Sequence, residues 1–105
     1  MKFPRFIGMV HLPALPGAPA SQLSVDECAD HAVRDARALK SGGADAIIVE
    51  NFHDVPFHAE AVPAHTVASM TRIAIAVRES CSIPVGINVL RNDALAALGI
   101  ALAAG

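Results

Sequence analysis

Apolar residues along this chain come in short blocks separated by helix-like stretches. Residues 6–10 (Phe-Ile-Gly-Met-Val) form an apolar run halted by His11-Leu12-Pro13, which predicts a buried strand. A loop rich in Pro, Gly and Ala covers residues 13–22. Ser24 with Glu27 three residues later makes a capping box, and Val25, Ala29, Ala32, Val33, Ala36 and Leu39 recur at helical spacing up to Gly42-Gly43. A second buried strand is predicted over residues 45–49, followed by Glu50-Asn51-Phe52-His53-Asp54 and a proline-punctuated loop to Pro63. A second helix is predicted over residues 66–80, on Val67, Met70, Ile73, Ala74 and Val77. A third strand is expected over residues 84–90, with Pro84 at its tolerant first position. Asn92 is expected to cap a third helix over residues 93–103, whose buried stripe would be Leu95, Leu98 and Leu102.

The order is β-α-β-α-β-α. Strands that read as continuous apolar runs, alternating with amphipathic helices, predict a parallel sheet covered by helices, with right-handed crossovers. The fold class is α/β. Its units match about the first three of a (β/α)8 TIM-type barrel, an architecture of about 250 residues. Residues 1–105 are therefore expected to be the N-terminal part of a single barrel domain. The last helix closes on Ala103-Ala104-Gly105, where a fourth strand would begin. Ile87, Val89, Leu95, Leu98 and Leu102 would then belong to a layer covered by the next unit, so the chain is expected to self-associate.

Composition narrows the class. Hydrophobic residues reach 53% and charged residues 17%, against about 25% charged in ordinary soluble domains. Much of the surface is therefore expected to be buried, and the 21 alanines allow close packing. The net charge is −2 with no basic stripe, which argues against nucleic acid as a partner. Residues 6–25 carry no charged side chain and could match a bilayer in length, yet Pro13, Pro16 and Pro19 break any helix there. The apolar run 6–10 is also too short for a signal peptide, so a cytoplasmic location is expected. Cys28 and Cys81 form no C-x-x-C pair and read as reduced thiols used as small hydrophobes.

In parallel α/β folds chemistry sits beyond the carboxyl ends of the strands. Those ends here carry His11, then Glu50 and Asn51, then Asn88, Arg91 and Asn92. A period of two puts Ile7 and Met9 on the face of His11, Ala46 and Ile48 on that of Glu50, and Gly86 on that of Asn88. His11 suits a general base or a metal ligand, or else a hydrogen-bonded loop histidine. Glu50 suits a carboxylate base, or else a turn cap or an ion-pair partner. Asn51, Asn88 and Asn92 suit hydrogen bonding to a substrate. Arg91 suits a bidentate grip on an anion, or else an ion pair with Asp93. No metal is expected; His53, Asp54 and His58 come nearest to a ligand set, without a dedicated zinc spacing. His31 and His65 are expected to face solvent. No G-x-G-x-x-G, P-loop or G-x-S-x-G motif occurs.

Three ordered segments carry a family resemblance. They are Gly8-Met-Val-His-Leu-Pro-Ala-Leu-Pro-Gly-Ala-Pro19, Gly43-Ala-Asp-Ala-Ile-Ile-Val-Glu-Asn-Phe52 and Pro84-Val-Gly-Ile-Asn-Val-Leu-Arg-Asn-Asp93. Together they resemble the BtpA family. The resemblance implies a barrel similar to the ribulose-phosphate-binding (β/α)8 barrels. It implies either a role in biogenesis of a membrane complex, photosystem I in the cyanobacterial namesake, or a metabolic enzyme acting on a phosphorylated sugar or nucleotide-related metabolite. It transfers no catalytic residue and leaves the cofactor unknown. The motifs mark only a shared face of His11, Glu50, Asn51, Asn88, Arg91 and Asn92. The implied partners are a small anionic metabolite, a second copy of the full-length chain, and a membrane surface met peripherally. The usual phosphate site of such barrels lies on the loops after strands seven and eight, which this chain does not contain.

Overall fold

The computed structural model describes residues 3–105. Its elements run β1 (Ile7–His11), α1 (Val25–Ser41), β2 (Ala46–Glu50), α2 (Ala64–Ser80), β3 (Val85–Asn88) and α3 (Ala94–Ala104). The three strands pair in chain order and in parallel. Parallel neighbours cannot be joined by a tight turn, so each connection must cross over through a helix.

The strands bury one face against those helices. Val10, Ile47 and Val49, with Val89 just past β3, meet Ala32, Ala36, Met70, Ile73, Val77 and Ile100 in one core. Small residues set the spacing: a side chain at Gly8 would lie 2.7 Å from Leu39, so this glycine lets α1 close onto β1. On the opposite face Ile7 and Met9 stand exposed, and no described element covers them.

α1 begins as expected. The Ser24 hydroxyl accepts from Glu27 N–H and the Glu27 carboxylate accepts from Ser24 N–H, each at 3.1 Å. Both bonds hold Glu27 below the usual carboxylate range. Asp45 lies just before β2, where its carboxylate accepts from Arg5 N–H at 3.0 Å and Phe6 N–H at 2.9 Å, fixing the start of β1.

α3 departs from expectation twice. Its cap is Asp93, whose carboxylate accepts from Ala96 N–H at 2.9 Å and reaches across to Val62 N–H at 2.8 Å. Asn92 sits one residue earlier, in the left-handed region at φ 68°, a conformation its short amide tolerates. The buried side of α3 is Ala96 and Ile100, whereas Leu95, Leu98 and Leu102 are 82%, 69% and 85% exposed. The helix is apolar on every side, so its pattern holds no phase information. The small Ala96 turns inward because it permits closer packing than a leucine would.

Candidate functional site

The strand register places three polar side chains in one row. His11 is level with Glu50, and Glu50 is level with Asn88, at the last position of each strand. Each also follows an apolar residue that turns toward the helices, so all three point to the uncovered side. His11 Nε2 lies 3.3 Å from one Glu50 oxygen. The Asn88 amide donates to the other at 2.9 Å. Glu50 is only 8% exposed, so its carboxylate sits partly out of water with a partner at each oxygen. A carboxylate bound to one imidazole nitrogen fixes the ring's orientation and tautomer, which prepares the other nitrogen for proton transfer.

Phe52 completes this corner. Its ring stacks on His11 with centroids 4.2 Å apart and planes 10° from parallel, and His53 meets Phe52 edge-on at 5.2 Å. Phe52 was not foreseen from the sequence. Its signal there is an aromatic residue two positions past a polar strand end, in a chain with only four phenylalanines.

Asn51 is held by backbone partners. It is 1% exposed; its amide donates to Leu90 C=O at 3.1 Å and accepts from Leu90 N–H at 2.7 Å. That two-bond bracket ties the loop after β2 to the loop after β3. Asp54 ties the first loop in as well, accepting from Leu15 N–H at 2.8 Å. Burial pushes the Asp54 carboxyl above its ordinary value, opposed by the Leu15 and Asn51 hydrogen bonds and the nearby His58 and His65. Asp54, His58, His65 and Thr66 line a cavity of about 40 Å³ beside this bracket.

The remaining candidates do not join the row. His53 is turned to Phe52 and Asp54 to Leu15. Among the described residues no three metal-ligating side chains come together, so His53, Asp54 and His58 form no ligand set. His65 is exposed, yet its ring lies against Gly17, where a side chain would run into Nε2. Arg91 and Asn92 are exposed on the loop after β3, with Arg91 N–H donating to His58 C=O at 3.4 Å. The alternative Arg91–Asp93 ion pair is absent among the described residues, because Asp93 is engaged as a cap. Cys28 is buried and Cys81 half-buried, both free thiols, and burial pushes the Cys28 thiol up.

Parallel βα units with ionisable groups collected at the strands' carboxyl ends define an α/β protein with its candidate site on that end. The sequence pattern of the BtpA family matches residues 3–105, and the chain belongs to that family. An uncharacterized protein of Archaeoglobus fulgidus is 56% identical over 97 residues, covering 92% of this chain and 39% of that protein. The photosystem I biogenesis protein BtpA of Synechocystis is 44% identical over 99 residues, covering 94% of this chain and 34% of that protein. The putative sgc region protein SgcQ of Escherichia coli is 39% identical over 101 residues, covering 94% and 37% respectively. The chain thus spans little more than a third of the length of these curated relatives. No solved structure matches the chain. Among the described residues no helix is long and apolar enough to cross a membrane.

Proposed function

We propose that His11, Glu50 and Asn88 form part of a small-molecule site at the mouth of a (β/α)8 barrel, of which this chain supplies the first three units. The observation that carries the reading is the single register row in which Glu50 is held between His11 and Asn88. Support for the barrel comes from the uncovered sheet face with Ile7 and Met9, and from relatives more than twice as long. In this reading Glu50 orients His11, and His11 exchanges a proton with a bound polar metabolite. Asn88 keeps the carboxylate in place. Arg91 and Asn92, exposed on the adjoining loop, serve an anionic part of the ligand. The protein would work in the cytoplasm.

A second reading is assembly of a membrane complex, met peripherally. It is favoured by the name of the Synechocystis relative. The two readings are compatible if the site senses a metabolite rather than converts it.

Glu50→Gln tests the site. The amide keeps the shape and an acceptor for Asn88 but removes the charge that orients His11. Turnover or ligand response should be lost while the melting temperature holds. If Glu50 is only a structural partner, the same change should destabilise by about 1–3 kcal/mol. A large stability loss with ligand binding unaltered would sink this reading.

A further inference from the structure

The ligand class can be narrowed, resting on the mouth-site reading above. Two features of the row have no structural need of each other. One is the flat stack of His11 and Phe52, 4.2 Å between centroids and 10° between planes, on side chains that both remain more than two-fifths exposed. Each ring spends one face on the other, so the stack presents outer ring surface to solvent. The other feature is the Glu50–Asn88 pair beside it, at 2.9 Å. Glu50 can only accept hydrogen bonds when ionised, and each oxygen keeps a further lone pair. Asn88 is exposed, and among the described residues its amide has one hydrogen bond, leaving a second N–H to donate. Acceptor and donor therefore stand side by side next to a stacking surface.

We infer that this corner takes a planar heteroaromatic ring whose edge carries an N–H beside an acceptor atom. The ring lies on the His11–Phe52 stack, its N–H donates to Glu50, and the neighbouring carbonyl oxygen or ring nitrogen accepts from Asn88. Open polyols satisfy the hydrogen bonds but not the flat surface. Purely apolar rings satisfy the surface but make no use of the acceptor on Glu50 or the spare Asn88 N–H, and they keep water from both.

The test is an NMR titration of the intact protein with uracil and adenine, using 1,3-dimethyluracil and ribose as controls. The first control lacks the ring N–H, and the second lacks the flat ring. Uracil or adenine should shift the His11 and Phe52 ring signals, and both controls should leave them unmoved. Phe52→Leu should weaken that binding about 5- to 150-fold, the range set by loss of one base–aromatic stack. Phe52→Trp should restore it, which separates stacking from any general disturbance of the loop. Base binding that survives unchanged in Phe52→Leu overturns the inference. If ribose shifts the row in a Glu50-dependent way and the bases do not, the ring inference falls while the mouth site stands. If no probe of either kind moves His11, Glu50 or Asn88, both fall together.

Discussion

Glu50 and Asn51 are neighbours in the chain, and both are almost fully buried. Glu50 ends a strand facing the uncovered side, where its partners are side chains from the two flanking strands. Asn51 turns the other way and takes backbone partners from a loop. Two adjacent buried polar residues thus serve different ends. A carboxylate bound by flexible side chains can change partners when a ligand arrives. An amide bracketed to a peptide group cannot, because releasing it orphans two partly buried backbone groups.

That contrast orders the expected effects of mutation. Asn51→Ala should be the most damaging, removing both bonds to Leu90 and costing about 3 kcal/mol in denaturant unfolding. A loss under about 0.5 kcal/mol would erase the distinction, since that is the range of ordinary surface changes. Gly17→Ala comes next: it forces a side chain into φ 98° against the His65 ring, at about 1–2 kcal/mol. Combining it with His65→Ala should recover only the part due to the clash. Glu50→Gln should cost under about 1 kcal/mol, because a shape-conserving change leaves no buried group without a partner. Thermal melts of Glu50→Gln and Asn51→Ala side by side make the comparison direct.

The smallest effect at neutral pH belongs to Asp54→Asn, which retains an acceptor for Leu15 N–H. Its signature is pH dependence. The Asp54 carboxyl is raised by burial, so the folded protein binds that proton more tightly than the unfolded chain does. This group therefore adds stability at low pH and withdraws it as pH rises through the raised folded value. Asp54→Asn should flatten that part of the stability profile. A profile identical to the parent's would show that Asp54 titrates normally.

Elements with a mechanism of their own were legible in the sequence. The capping box of α1 and the β-α alternation read directly, because each rests on residue types that only one local structure satisfies. The meeting of His11, Glu50 and Asn88 was legible through strand phase, since a period of two fixes the face once the apolar positions are assigned. Asn51 was not, because the chain leaves the strand there and phase no longer applies. The Phe52 stack depends on a loop conformation that no periodicity encodes. α3 failed for the opposite reason: with apolar residues all round, Leu95, Leu98 and Leu102 looked as inward as Ala96 and Ile100.

That uniform helix carries a mechanical consequence. A rod that is greasy on every side can roll about its own axis at little cost, so burial alone does not set its angle. Asp93 supplies the missing index: one oxygen holds Ala96 on the rod and the other holds Val62 on the loop between β2 and α2. It works like a keyway between shaft and housing, adding to the close fit of Ala96 a fixed angular stop for α3.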